Sequence, residues 1–356
     1  MTTSAVAPPA RPGEPLVRLE HVVKDFPVKS GSLFAKSRER VHAVADVSLD
    51  IRLGETLALV GESGCGKSTL ARCLMRLHDL TGGRVLFDGH DISTSTQGEL
   101  RPFRRRMQMV FQDPYGSLNP RRRVGSIIGD PFEIHGLRHG ADRVKRVQEL
   151  MELVGLNPEH YNRFPGDFSG GQRQRVGIAR AIALRPDFIV CDEPVSALDV
   201  SIRAQILNLL DGLQDELGLT YLFISHDLSV VRHVSDRVAV MYLGKVVELA
   251  PVRDLFGHAR HPYTRALLSA MPAPDPDRAD TREEVLLAGD PPSPLDPPAG
   301  CGFHPRCPRA QARCAVEVPA LAPCPGDVAE HLAACHFPVA DGEAPAAADS
   351  ARQEAL

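Results

Sequence analysis

Gly61-Glu62-Ser63-Gly64-Cys65-Gly66-Lys67-Ser68-Thr69 reads G-x-x-x-x-G-K-S, the pattern of a loop that holds the phosphates of a nucleoside triphosphate. The glycines permit a tight turn that aims backbone N–H groups at phosphate oxygens. A helix beginning just after them adds its positive N-terminal end. The Lys67 ammonium is placed to reach the β- and γ-phosphates, and the Ser68 hydroxyl to ligate Mg²⁺. Gly61, Ser63, Gly64, Cys65, Gly66, Lys67, Ser68 and Thr69 are therefore the first candidate nucleotide contacts.

Further along, Phe188-Ile189-Val190-Cys191-Asp192-Glu193 is an apolar run closed by two carboxylates. Asp192 fits the Mg²⁺-holding acid of such an enzyme, and Glu193 a general base that polarises an attacking water. Gln112 leaves the apolar run Met107–Phe111, where an amide can ligate Mg²⁺ or orient water. His226 follows Tyr221–Ser225. Ligands of α/β sheets bind beyond the carboxyl ends of the strands, which makes this histidine a candidate for the site. Ser169-Gly170-Gly171-Gln172 opens a helix, with Ser169 as its expected cap; it forms a second anion site far from the first.

The elements that must position these residues follow from hydrophobic spacing. Leu57–Val60 predicts a buried strand before the loop, and Thr69–Met75 the helix after it. Val17–Val22 and Val44–Ile51 alternate with period two and predict strands, separated by a polar surface loop over Lys29–Arg40. Phe26 ends the first of them, where an aromatic ring can stack on adenine or simply close a strand edge. Apolar residues at Val144, Val147, Leu150, Met151 and Val154 predict a helix, so a mainly helical insertion separates Gln112 from Ser169. Val200–Leu217 predicts another helix, preceded by Asp199, and Val238–Leu249 a hairpin turning at Gly244.

The chain has 356 residues and a net charge of −4, enough length for one large or two modest domains. That charge gives no electrostatic case for nucleic acid. The basic runs Arg101–Arg106 and Arg121–Arg123 read as solvated faces or partner contacts. No stretch approaches the roughly 18 apolar residues of a membrane span, and the Ala/Pro-rich start lacks the apolar run of a secretory signal. A cytoplasmic protein that docks on a membrane partner is the expectation.

Taken together, these motifs resemble the ATP-binding subunits of ABC transporters, over about residues 16–338. The resemblance implies an α/β fold: an ABC-type P-loop nucleotide-binding domain with a RecA-like core, an antiparallel β subdomain and a helical subdomain, followed by a small Cys-rich C-terminal lobe. It implies flexible tails at 1–15 and 341–356, the nucleotide-binding domain at 16–257 with its helical subdomain near 113–178, and a C-terminal domain at 258–340. Phe26 resembles the adenine-stacking aromatic, Gln112 the Q-loop glutamine, Glu193 the catalytic glutamate, Asp199 the D-loop aspartate and His226 the switch histidine. ATP and Mg²⁺ are the implied ligands. Ser169, Gly170, Gly171 and Gln172 match the signature, which in this family completes the site of a second ATPase chain in a head-to-tail dimer.

Phe111–Pro120 and His261–Leu268 are similar to the di/oligopeptide importer ATPases, and the insert at Lys29–Arg40 resembles the F-type member of the ATPase pair. The implied partners are that second ATPase, two transmembrane permease subunits and an extracytoplasmic substrate-binding protein, with this chain peripheral on the cytoplasmic face of the cell membrane. Nickel and glutathione importers share the pattern. A soluble ABC ATPase acting on ribosomes or DNA is the reading from another class; the duplicated cassette or long insertions of such proteins are not found here.

Thr281–Pro298 reads as a Pro/Asp-rich linker before a cluster of cysteines. Cys301, Cys307, Cys314 and Cys335 are spaced C-x5-C-x6-C-x20-C, unlike the C-x2-C pairs of common zinc modules. Similar tails in the resembling subfamily carry a [4Fe–4S] cluster, so these four thiols are its expected ligands. Zinc, free thiols and disulfides are the alternatives, and Cys324 lies outside the four-Cys pattern.

Overall fold

The computed structural model describes residues 15–28, 39–113, 115–271, 287, 289–324 and 326–340. The two tails and the loop expected over Lys29–Arg40 lie wholly or largely outside them, as do residues 281–286 and 288 of the linker expected over Thr281–Pro298. The chain forms two compact units interleaved in sequence: 1–18, 50–56 and 85–225, and 19–49, 57–84 and 226–356.

The first unit carries three parallel strands, β6 (Met107–Val110), β7 (Phe188–Asp192) and β8 (Thr220–Ile224). β7 lies between the other two, with Val110 opposite Cys191 and Asp192 opposite Ile224. β7 and β8 are buried at every position, as continuous apolar runs in a parallel sheet require. Helices α3 (Val124–Ile134), α4 (Gly140–Leu153), α5 (Gly170–Ile182) and α6 (Val200–Leu217) complete the unit. The 3.6-residue period foretold α4 and α6. It did not reveal α3, whose Gly125, Gly129 and Pro131 obscure the helical pattern; packing of Ile127, Ile128 and Phe132 holds that helix instead. Arg106 does not join a solvated basic face: Asp88 (2.8 Å) and Asp187 (2.5 Å) hold its guanidinium.

The second unit contains β3 (Thr56–Val60), which runs parallel to β9 (Arg237–Tyr242), with Val60 opposite Val240. β9 pairs antiparallel with β10 (Lys245–Pro251) around Gly244, the hairpin expected from sequence. β10 then pairs with the short β12 (Leu332–Ala333), so the C-terminal chain adds to this sheet. Residues 19–27 and 40–49 belong to β1 (Pro15–Pro27) and β2 (Arg40–Arg52), whose buried positions alternate only locally, at Val17 and Leu19 and at Val47, Leu49 and Ile51. Helix α1 (Lys67–Leu74) follows the phosphate loop, and α9 (Pro262–Ser269) packs its buried Tyr263 and Leu268 into the unit's core with Val60, Val240, Tyr242 and Phe303. Among the described residues, no helix is long and apolar enough to cross a membrane.

Candidate functional site

In the second unit, the parallel register of β3 and β9 delivers the phosphate loop beside Met241. Gly61 has φ +149°, and a Cβ there would sit 2.2 Å from the Met241 carbonyl oxygen. Gly66 has φ +109°, and a Cβ there would meet the Ala43 carbonyl oxygen at 2.1 Å. Both positions need glycine for close backbone approach as well as for conformation. The loop is tied further by the Gly244 N–H, which donates to the Cys65 carbonyl at 2.9 Å. Lys67 opens α1 and is only 6% exposed. Its ammonium donates to the carbonyls of Gly61 (2.7 Å) and Glu62 (2.9 Å), which hold the charge over the loop. Ser68 and Thr69 are half-buried in the first turn, Ser63 and Gly64 are exposed, and burial pushes the Cys65 thiol up despite Lys67 beside it. Phe26 stands in the same unit, edge-on to the His78 ring at 5.4 Å with the Lys24 ammonium 4.8 Å from its centroid.

In the first unit, Gln112 and Glu193 each lie two residues beyond a paired position, Val110 opposite Cys191. The register therefore brings them together, and Gln112 Nε2 donates to Glu193 Oε2 at 2.8 Å. Asp192 is 2% exposed at the end of β7. Glu193 has φ +47°, a conformation costly for a residue with a side chain. Its N–H donates to the Ile224 carbonyl (3.0 Å), while its own carbonyl accepts from the Ser196 hydroxyl (3.1 Å). The turn after β7 thus re-aims Glu193 away from the strand line and beside Gln112.

Ser169 caps α5 as expected. Its hydroxyl accepts from Gln172 N–H (3.3 Å), and Gln172 Oε1 accepts from Ser169 N–H (2.9 Å), a reciprocal capping box. Gly171 packs so closely on α6 that a Cβ would lie 2.4 Å from the Ile202 side chain. Gly170 is half-buried beside Leu198, and Asp199 is exposed as the N-cap residue of α6. The Arg173 guanidinium lies 3.7 Å from the centroid of the Tyr115 ring, a contact the motif reading did not anticipate. His226 lies two residues beyond Ile224, the last residue of β8, and is exposed.

The donors suggested for Mg²⁺, from Ser68, Gln112 and Asp192, are all oxygens, the hard ligand type this ion prefers. The expectation of a [4Fe–4S] cluster on Cys301, Cys307, Cys314 and Cys335 is overturned. Among the described residues, no three or more His, Cys, Asp or Glu side chains are placed to hold a metal ion, which removes the zinc alternative as well. The four cysteines line one pocket with Pro262, Phe303 and Phe337, but its free volume is about 10 Å³, room for about one water. Burial pushes the Cys307 thiol up to about 11 and the Cys335 thiol up to about 12, so both stay protonated near neutrality in the metal-free chain. All eight cysteines are free thiols. Cys spacing along the chain did not show how little free space lies among the four thiols.

Sequence reading also assigned no role to Tyr263, Arg306 or the side chain of Glu62. The Tyr263 hydroxyl accepts from the Glu62 N–H at 2.9 Å, and Arg306 Nη1 donates to the Glu62 carboxylate at 2.9 Å. Arg306 lies 244 positions after Glu62, beyond the reach of any local signal. Tyr263 did stand in the quoted His261-Pro262-Tyr263 run, which was the one available hint.

Residues 44–196 match the family of ABC transporters, and residues 247–314 match the C-terminal region of oligopeptide/dipeptide transporters. A probable peptide ABC transporter ATP-binding protein of Sinorhizobium fredii is 54% identical over 96% of this chain and 94% of its own length. The oligopeptide transport ATP-binding protein AppF of Bacillus subtilis is 51% identical over 91% of this chain and 98% of its own. Among solved structures, a dimeric ATP-binding cassette, MJ0796, in a post-hydrolysis state bound to ADP and Pi, is similar with a TM-score of 0.59 and 32% identity. It covers 67% of this chain and 99% of that one. With an α/β cassette fold, a complete phosphate loop and two peptide-transporter relatives matched nearly end to end, the chain belongs to the ABC transporter family as an ATP-binding protein of its oligopeptide/dipeptide type.

Proposed function

We propose that this chain is the ATP-hydrolysing subunit of a membrane importer for di- or oligopeptides, built from a nucleotide-binding domain at 16–257 and a C-terminal region at 258–340. The observation that carries the hydrolytic part is the Gln112–Glu193 hydrogen bond of 2.8 Å at the ends of neighbouring parallel strands. It supports a corner where a carboxylate base and a metal- or water-orienting amide act together. Lys67 and the loop N–H groups bind the β- and γ-phosphates, Phe26 takes the adenine, and His226 contacts the γ-phosphate. Ser68, Gln112 and Asp192 would hold Mg²⁺. Bound Mg²⁺ supplies neutralisation of phosphate charge; Glu193 accepts the proton of the attacking water.

In this reading Ser169, Gly170, Gly171 and Gln172 of one chain close on the nucleotide of a second ATPase chain, with Asp199 at the same interface. The helix N-terminus at Ser169 supplies backbone N–H groups for a γ-phosphate. ATP binding then closes a head-to-tail pair, and hydrolysis removes the anion that holds it shut. Two permease subunits receive the motion at the cytoplasmic face of the membrane, and an extracytoplasmic binding protein delivers the solute. The peptide assignment is supported by the matched C-terminal region and by the names of the relatives.

The test is ATP turnover by the assembled transporter in vesicles, with its binding protein loaded in turn with peptide, nickel or glutathione. Stimulation by the peptide-loaded form is expected. Stimulation by nickel or glutathione alone would overturn the peptide assignment, and equal turnover without permease subunits would overturn coupling to transport.

A further inference from the structure

Three contacts converge on Glu62, the second residue of the phosphate loop. Its N–H donates to the Tyr263 hydroxyl at 2.9 Å. Its carboxylate accepts from Arg306 Nη1 at 2.9 and 3.2 Å. Its carbonyl accepts from the Lys67 ammonium at 2.9 Å. Lys67, the residue that reaches the phosphates, and the C-terminal region thus hold opposite sides of one loop residue.

The holding groups are themselves rigid. Tyr263 is fully buried in α9. Its ring packs against Tyr242 (4.7 Å between centroids) and Phe303 (5.4 Å). The Arg306 side chain is 8% exposed and that of Glu62 26%, so the ion pair is largely out of water. Burial lowers the proton affinity of Arg306, but the Glu62 carboxylate and the Tyr242 hydroxyl together outweigh it, and the net shift is upward. A pair this shielded is costly to break, because the remaining charge stays buried and unpaired.

We infer that Arg306 and Tyr263 are positioning residues for the phosphate loop: they hold Glu62 so that the loop backbone and Lys67 are preorganised for the triphosphate. Both lie within residues 247–314, the stretch that matches the oligopeptide/dipeptide transporter C-terminal region. That region therefore acts on nucleotide affinity. Preorganisation is spent on ground-state binding here, because Arg306 and Tyr263 hold the loop backbone and neither bonds to Gln112 or Glu193, the pair assigned to water activation. Loss of the clamp accordingly raises KM for MgATP and spares kcat.

This inference rests on the reading of residues 61–69 as the ATP site. MgATP affinity is measured on the full chain by titration calorimetry, and kcat and KM on the assembled transporter, for Arg306→Ala, Arg306→Lys, Glu62→Gln, Tyr263→Phe and the Arg306→Ala/Glu62→Gln pair. Arg306→Ala and Glu62→Gln are each expected to weaken MgATP binding about tenfold with kcat within about twofold, and the double variant to be no weaker than either. Arg306→Lys recovers part of the loss, and Tyr263→Phe, which removes only a hydroxyl, weakens binding about threefold. Unchanged affinity in Arg306→Ala and Glu62→Gln, or losses that add in the double variant, would overturn the clamp, even if melting temperature falls. Lys67→Ala separates the two readings: if it binds MgATP as the parent does, the loop is not the ATP site and the clamp falls with it. If it loses binding while Arg306→Ala does not, only the clamp is wrong.

Discussion

Gln112 and Glu193, 81 positions apart, share a hydrogen bond of 2.8 Å because β6 and β7 run in a parallel register that ends them side by side. Glu193→Gln keeps the size and the turn after β7 but removes the basic oxygen. The expected result is ATP turnover lower by about 10²–10⁴-fold in the assembled transporter, with MgATP binding retained. Turnover within tenfold of the parent would remove Glu193 from the role of base.

The phosphate loop's tolerance of side chains differs sharply from that of ordinary turns. Gly66→Ala places a methyl 2.1 Å from the Ala43 carbonyl oxygen, whereas Gly54, also at positive φ (+81°), has nothing within 4 Å. Gly54→Ala is expected to cost about 1–2 kcal/mol from backbone strain alone. Gly66→Ala adds a backbone clash and is expected to lower MgATP affinity by at least about tenfold. Calorimetric titration of both variants checks the contrast.

A buried charged network closes the C-terminal chain onto the sheet. Arg260 donates from Nε to Asp327 (2.6 Å) and from Nη1 to the Val339 carbonyl (2.8 Å). Glu248, with no exposed surface, accepts from the Arg260 N–H (2.6 Å) and the His261 N–H (2.9 Å) and pairs with His331 Nε2 (2.7 Å). Arg260→Ala leaves the Asp327 carboxylate, 10% exposed, without its cation while the backbone N–H to Glu248 remains, and a loss of about 3–5 kcal/mol is expected by urea unfolding. The Arg260 pair also holds the Asp327 carboxyl below its ordinary range, so that increment is present near neutrality and is lost as pH falls through the depressed value.

His261 gives a separate pH signature. Burial lowers its pKa from 6.5 to about 4, with Glu248 opposing. The folded chain keeps the ring neutral while the unfolded chain protonates it from about pH 6.5 downward. Its contribution is therefore full above that value and is lost progressively as pH falls towards 4, by about 3 kcal/mol in all. His261→Asn retains an acceptor to cap α9 at Tyr263 N–H but does not titrate. Urea midpoints between pH 7 and pH 4 are expected to fall less steeply in that variant; parallel curves would reject the assignment.

The order of motifs along the chain was enough to identify the family and to propose Lys67, Gln112, Asp192, Glu193 and His226 for its site, because phosphate chemistry demands particular side chains at strand ends and helix starts. Hydrophobic period was enough for β3, β7, β8, α4 and α6, whose apolar residues face one core. It failed at α3, where glycines and a proline inside the helix are compensated by packing. The cysteine tail shows the opposite error: spacing suggests ligands, but Phe303, Pro262 and Phe337 close around the thiols, and the space between them is about one water in size.

The sequence by itself determined that this chain binds and hydrolyses ATP in an ABC transporter, since those residue types and local spacings have few other uses. Only the tertiary structure decided that Gln112 meets Glu193, that the cysteines form no metal site, and that Glu62 is held by Tyr263 and Arg306. The first and the last depend on strand register or on contacts across some 80 to 240 positions, and such contacts leave no periodic trace in a chain.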